Sequence, residues 1–496
     1  MNKAVAAVAA LNFAFHMATA KLYGFFIDEI YFLACGEHLA WGYVDFPPLT
    51  AFQAWLTRHL FGDSAYSIRL FPSLAAAGVV LLAAAIAREL GGGRFAQIVA
   101  ALVAFLSPGF LAFCSYLCMN SLEPLIWGGC ALIVIRIIKR NEPRLWPWFG
   151  VVAGIGMLNK HTMVVFGFAI VAALLLTPDR KLMFNRWFVL AGAIAFVIFL
   201  PNLIWEIRNH FPHIEQLQNI KRNGRDVQMN PIVFLLWDVL LANPLAAPLW
   251  IAGLVSLVAG SLKRYRAIGY AWIIAYVVLI LVHGRFYYLL PAFVMIIGAG
   301  AVVVERLPRR VAIAYAALIV IAGVLIAPTA VPVLPPDAYF RFVATTHINQ
   351  PRFEHRRTTS MPQFFADRFG WPEMAATVAR VYNSLPPEER AKTAIFGNDY
   401  GQSGAIDLYG PRFGLPKAIG GHLTNWYWGP RHYTGESILV LGDDRQTLES
   451  KFETVIPMAE IGHPYAMAQE HFTLFLVKKP RGFTLQSAWG ALKKFE

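Results

Sequence analysis

The stretch Tyr23-Gly-Phe-Phe-Ile-Asp-Glu-Ile-Tyr-Phe32 sets two adjacent acids, Asp28 and Glu29, among aromatic and aliphatic residues just after an apolar run at 3–22. A charged residue at the centre of a spanning helix costs roughly 2.5 to 3.5 kcal/mol on translocon scales, so acids kept this close to a bilayer point to function. The fold turns on whether the chain has just left a membrane here, and the residues on either side answer that.

Of 496 residues, 57% are hydrophobic and only 15% are charged, against roughly 25% charged in an ordinary soluble domain. That composition describes an integral membrane protein. The net charge is +13, and its location matters more than its size. Residues 331–496 hold 18 basic and 16 acidic side chains, which leaves 25 basic against 14 acidic in residues 1–330. The surplus lies in the apolar part, which argues against nucleic acid as the partner and for loop orientation as the cause.

Apolar runs recur at 3–22, 66–87, 95–113, 120–138, 147–159, 162–176, 187–205, 232–260, 268–283, 286–304 and 311–329. They predict about eleven spans, within a range of 10 to 13, because crossing takes roughly 20 residues and the fifth and sixth runs are short. Between them, Arg88/Arg94, Lys139/Arg140/Arg144, Arg180/Lys181/Arg186, Lys263/Arg264/Arg266 and Arg306/Arg309/Arg310 occupy alternate connections. With Lys3, all fall on one side if the N-terminus is cytoplasmic. The opposite side then receives 23–65, a short link near 114–121, the turn at Lys160, the loop 206–231, the turn 283–287 and everything after about 330. Ala18-Thr19-Ala20 resembles a signal-peptidase site, but the run before it is nearly long enough to span and membrane sequence follows, so retention is expected.

Residues 23–65 carry Trp41, Tyr43, Phe46 and Trp55 and are broken at Pro47-Pro48, a pattern of amphipathic helices lying on a membrane surface. From 331 onward Pro, Asp, Arg and Gly rise. Short strands are predicted at 394–397, 437–442 and 472–477, with helices at 371–383 and 445–453, giving a small α/β domain outside the membrane. Cys35, Cys114, Cys118 and Cys130 all lie before it and imply no disulfide framework. Cys114 and Cys118, four apart, read as small apolar packing, and no spacing in the chain makes a convincing metal-ligand set.

Neighbouring helix residues point about 100° apart, so Asp28 and Glu29 cannot both face one reacting atom. One is then chemical and the other supporting, unless Asp28 only caps the helix that begins here. The outer loop 206–231 holds Arg208, His210, His213, Lys221, Arg222 and Arg225, where basic residues should be scarce. Either an anionic lipid phosphate visits it or its charges pair with Glu206, Glu215 and Asp226. Lys160, in Leu158-Asn-Lys-His-Thr162, and Arg285, in His283-Gly-Arg-Phe-Tyr-Tyr288, either join that phosphate site or snorkel to the interface. Glu123, in Met119-Asn-Ser-Leu-Glu-Pro-Leu125, is a cation's partner or a second acid in a reaction cleft.

Together these residues resemble the polytopic GT-C glycosyltransferases, in particular the dolichyl-phosphate-mannose protein mannosyltransferase group and the bacterial aminoarabinose transferases of lipid A. The resemblance rests on Asp28-Glu29, on Gly42-Tyr-Val-Asp-Phe-Pro-Pro-Leu-Thr50 and on Glu123-Pro124, where the family commonly has Asp. It continues through Leu158-Asn-Lys160, Asn202-Leu-Ile-Trp-Glu206 and Phe286-Tyr-Tyr-Leu-Leu-Pro291, so it covers about residues 10–300. Gly397–Pro411 and Trp426-Tyr-Trp-Gly-Pro430 look like the outer domain of some bacterial members.

The resemblance implies a GT-C membrane domain over 1–330, a periplasmic domain over 331–496, and inverting sugar transfer from a polyprenyl-phosphate donor on the outer face of a bacterial inner membrane. It implies Asp28 as general base with Glu29 and Glu123 as further catalytic acids. Lys160, Arg285, Arg208 and Arg225 would hold the donor phosphate, and Tyr43, Asp45, Tyr287 and Tyr288 would contact sugar or acceptor. No cofactor is expected, and the acceptor is a lipid, a protein or another glycan. Two rivals share much of this pattern: an undecaprenyl-pyrophosphate-linked glycan ligase or polymerase, and a lipid transporter or flippase, which needs ionisable residues at mid-membrane depth. A non-catalytic receptor does not require the acid pair.

Overall fold

A computed structural model of the chain describes residues 2–224, 229–350 and 358–496. Each of the eleven apolar runs contains helix. Among the described residues, six helices are long and apolar enough to cross a membrane: Ala65–Glu89, Met119–Arg140, Arg186–Arg208, Lys263–Leu281, Phe286–Val304 and Arg309–Ala330. Lys3–Thr19, Arg94–Phe105 and Met163–Leu175 are shorter apolar helices. The run at 232–260, expected as one span, is instead the pair Pro231–Leu241 and Pro244–Val258, bent by 103°. Pro244 lacks the donor that a continuous helix needs and pushes the preceding residue out of helical geometry. Asn243 takes a φ of 77° there, accepts from Leu245 N, and donates to Leu106 O and Ile319 O.

Helix packing uses small residues, as expected where lipid gives no hydrophobic drive for association. Helices Trp146–Asn159 and Arg186–Arg208 approach so closely at Gly150 that a Cβ there would lie 2.3 Å from Ala191 O.

The two ends of the bundle differ in chemistry. At one end Glu89 pairs with Arg136 at 3.0 Å, Lys139 at 3.1 Å and Arg140 at 3.5 Å. Arg264 reaches Ile138 O at 3.0 Å, and Glu305 accepts from Gly93 N at 2.6 Å and Ala96 N at 3.0 Å. The connections at 88–94, 139–144, 263–266 and 305–310 therefore meet, as the alternating basic clusters require. At the other end lie the short helices Ile27–Glu37, Leu49–Phe61 and Pro212–Arg222, against which the C-terminal residues pack. Lys417 pairs with Glu37 at 2.5 Å and Lys493 with Glu215 at 2.7 Å, and Asn219 donates to Phe495 O at 2.8 Å.

Beyond Ala330 the elements shorten and a four-stranded sheet appears: β1 (Thr393–Gly397), β2 (Ser437–Leu441), β3 (Phe452–Ile461) and β4 (Phe472–Pro480), in the order β1-β2-β4-β3. β1 and β2 are parallel and the other pairings antiparallel. The strand readings at 394–397, 437–442 and 472–477 correspond to β1, β2 and β4. β3 has no counterpart among them. It is an edge strand whose register shifts between Pro457 and Ala459, and an edge with an outward proline lacks the buried run that marks β2.

Candidate active site

The helix Ile27–Glu37 begins with both acids in its first turn, where the helix dipole favours negative charge. Glu29 turns inward. Its Oε2 accepts from Phe26 N at 2.8 Å and its Oε1 from Leu117 N at 2.9 Å. Arg69 grips both oxygens, Nε to Oε1 at 2.9 Å and Nη2 to Oε2 at 2.6 Å, with side chains 1% and 0% exposed. The rest of the guanidinium donates to Ala20 O and Gly24 O. Glu29 thus ties the first outer segment to the start of helix 65–89 and to the 114–118 link, and it does not line the cavity beside it.

Asp28, one residue earlier, does. It lines a cavity of about 670 Å³ together with Asp45, Lys160, His161, His213, Lys221, Arg285, Tyr287 and Tyr288, and with Tyr400 and Asp367 from the C-terminal region. Asp28 Oδ1 accepts from the Tyr400 hydroxyl at 2.9 Å. Asp45 Oδ1 accepts from the Tyr31 hydroxyl at 2.8 Å. Burial pushes the Asp45 carboxyl up to about 7; the Tyr31 hydrogen bond opposes that shift and the Asp28 carboxyl adds to it.

The cationic wall is built from adjoining turns. Lys160 follows the last residue of helix Trp146–Asn159, and its Nζ lies 3.1 Å from Glu123 Oε2 and 2.6 Å from Asn120 Oδ1. It also sits 4.1 Å from the centroid of the Tyr288 ring and 5.6 Å from that of Tyr287. Glu123 contacts Thr162 Oγ1 as well. It stands behind Lys160 rather than on the cavity surface, and so acts as the cation's partner. Arg285 donates from Nη1 to the Tyr287 hydroxyl at 3.2 Å. His161 and His213, their rings 4.7 Å apart, add polarity with little charge, because burial and the neighbouring His161 lower His213 to about 3.

Of the residues singled out in the sequence, the cavity gathers Asp28, Asp45, Lys160, Arg285, Tyr287 and Tyr288. It leaves out Glu29 and Glu123, which are spent on Arg69 and Lys160. Arg208 is exposed and does not reach the cavity, where Lys221 of the same loop does. Tyr43 is buried, with its hydroxyl 3.2 Å from Cys35 O and 3.3 Å from His38 O, and closes a turn instead of facing a substrate. Arg225 lies outside the described residues. Sequence reasoning missed Tyr400, which bonds a residue 372 positions earlier, and Asn120, which holds Lys160. Among the described residues, no group of three or more His, Cys, Asp or Glu side chains is placed to hold a metal ion.

Residues 45–205 match the family described as dolichyl-phosphate-mannose-protein mannosyltransferase. Over 205 residues the chain is 30% identical to the lipid A galacturonosyltransferase RgtD of Rhizobium johnstonii, a stretch that is 40% of this chain and 41% of that protein. The match thus spans well under half the length of that relative. The fold is similar to that of ArnT from Cupriavidus metallidurans bound to undecaprenyl phosphate, with a TM-score of 0.60 over 95% of this chain and 97% of that one at 13% identity. The apo form of the same protein gives 0.61 at 14% identity over the same shares. At such identity the likeness is one of fold. The chain is a multi-pass helical membrane protein that shares the fold of the ArnT structures and carries a small C-terminal mixed sheet, and it resembles the lipid A transferase group.

Proposed function

We propose that this chain is an inverting glycosyltransferase that moves a sugar from a polyprenyl-phosphate donor to an acceptor hydroxyl at the outer face of a bacterial inner membrane. In this reading residues 1–330 form the membrane-embedded catalytic domain and 331–496 a periplasmic domain that closes over it. The observation that carries the proposal is one cavity joining the Asp28 carboxylate with Lys160, Lys221 and Arg285, at the end of the bundle opposite the basic connections. The positive-inside rule makes that end extracytoplasmic. The lipid A acceptor in the name of the matched relative and the undecaprenyl phosphate bound by the fold neighbour support a lipid acceptor and a polyprenyl carrier.

The chemistry suits these groups. A phosphate whose second pKa is about 6 departs without an acid to protonate it, so one general base is enough. As the anomeric carbon gains oxocarbenium character, Asp28 takes the proton of the attacking hydroxyl, an effect typically worth about 10² to 10⁴ in rate. Lys160 and Arg285 hold the donor phosphate and stabilise the charge that grows on it, in a site where Tyr287 and Tyr288 fix both cations. The experiment is to delete the gene in its host and compare lipid-linked sugars and surface glycans with the parent. A polyprenyl-monophosphate sugar should accumulate while one surface glycan loses a sugar. Unchanged lipid-linked sugars and glycans would reject the proposal.

A further inference from the structure

The C-terminal domain reaches into the cavity at one point that carries consequences for the base itself. Tyr400 is the first residue of the helix Tyr400–Tyr409. Asp399 caps that helix by accepting from Gly401 N at 2.7 Å, while Gln402 reaches back to Asp399 N at 3.2 Å. Tyr400 is 8% exposed, its N–H donates to His422 Nδ1 at 3.3 Å, and its ring packs 5.1 Å from His422 and 5.0 Å from Tyr31. The hydroxyl is therefore held by backbone capping on one side and rings on two others.

Two glycines set its reach. A Cβ on Gly401 would lie 2.5 Å from Ile27 Cγ1, and one on Gly404 would lie 2.7 Å from Ile30 Cγ2. Helix 400–409 thus lies directly on helix 27–37, the helix that carries Asp28, and only this approach brings the hydroxyl within 2.9 Å of Oδ1. The second cavity carboxyl is built the same way: the Tyr31 hydroxyl that bonds Asp45 also lies 2.7 Å from Thr424 Oγ1 of the same domain.

We infer that Tyr400 is a positioning residue for the base, a donor supplied by the C-terminal domain that orients the Asp28 carboxylate and keeps it ionised. The inference rests on the reading of Asp28 as base, and extends it by making the C-terminal domain part of the catalytic machinery. A hydrogen bond to the charged form of a carboxyl lowers its pKa, so removing the donor raises it. Among the described residues, titratable groups near Asp28 include Asp45 from the first outer segment and Tyr116 and Cys118 from the 114–118 link, with Asp367 and Arg285 lining the same cavity. Lys160 lines the same cavity, and none of these is changed by the test.

Tyr400→Phe keeps the ring and its packing while deleting only the donor. In the detergent-solubilised full chain, carbodiimide labelling of Asp28, read by mass spectrometry across pH, reports the protonated carboxyl whatever reaction the protein performs. The midpoint should move up by about one unit, a tenfold change in the acid dissociation constant. In the transfer assay the acid limb of kcat/KM should move up with the labelling midpoint, kcat on the neutral plateau should fall through lost orientation of the carboxylate, and donor KM should not change. Gly401→Ala, which keeps the Tyr400 hydroxyl but pushes the helices apart and so moves it from Asp28, should shift the midpoint in the same direction. A Tyr400→Phe protein that elutes as wild type with an unmoved midpoint overturns the inference. If wild type fails to transfer sugar at all, the functional reading falls while the midpoint still decides the role of Tyr400.

Discussion

Glu29→Gln and Asp28→Asn, two changes one residue apart, should fail in opposite ways. Glu29 is fully buried and meets Arg69 through two hydrogen bonds, with Phe26 N and Leu117 N completing its shell. Neutralising it strands the Arg69 guanidinium, which is 1% exposed, and breaking a buried pair in this manner costs about 3–5 kcal/mol. With an unfolding entropy of about 2.1 cal/mol/K per residue, a cooperative chain of this length loses roughly 3–5 °C of thermal midpoint. Asp28→Asn keeps an amide oxygen for the Tyr400 hydroxyl and loses a first-turn charge, about 0.3–1 kcal/mol or under about 1 °C, yet should lower transfer by about 10² to 10⁴, some 2.7 to 5.5 kcal/mol in the barrier. The assay pairs thermal unfolding in detergent with sugar transfer on the same preparations. A Glu29→Gln protein that melts as wild type but is inactive, or an Asp28→Asn protein that turns over normally, would refute the division of labour.

Lys160→Met and Arg285→Met should each weaken donor binding by roughly 10- to 100-fold, the worth of a hydrogen bond to a charged group, measured as the Kd for a polyprenyl-phosphate analogue; unchanged affinity in both would remove them from the phosphate site. Because Lys160→Met also leaves Glu123 without its cation, adding Glu123→Gln should recover stability without recovering affinity. Asp45, raised to about 7 by burial, keeps a proton in the folded chain that the unfolded chain has already lost. Its contribution to stability therefore falls as pH rises from about 4 to 7 and is flat above. The thermal midpoint of wild type should drop more between pH 5 and 8 than that of Asp45→Asn, and equal slopes would contradict the shift.

Much of the architecture was legible because it follows from one-dimensional signals. Apolar runs located the helices, and the alternation of Arg88/Arg94, Lys139/Arg140 and Lys263/Arg264 grouped the connections that meet around Glu89 and Glu305. The broken span at Asn243-Pro244 was hidden by its continuous hydrophobicity, although the proline marks it. In the cavity, Asp28, Lys160 and Arg285 stood out as ionisable residues at the margins of apolar runs. Their partners did not. Arg69 lies 40 residues from Glu29, and Tyr400, 372 residues from Asp28, looks like any aromatic beside glycine until Gly401 and Gly404 are seen against Ile27 and Ile30. Position also separates residues that charge alone leaves equal: Arg208 and Lys221 are both exposed and read alike in the loop, and of the two Lys221 lines the cavity.

The most direct test of the account is transfer by the purified full chain in liposomes, supplied with a sugar on undecaprenyl monophosphate and with lipid A as acceptor. The account predicts acceptor-dependent release of undecaprenyl phosphate, inversion at the anomeric carbon of the product, and loss of both in Asp28→Asn. Transfer only from a pyrophosphate-linked donor, product of retained configuration, or movement of the lipid across the bilayer without cleavage of the sugar–phosphate bond would contradict it.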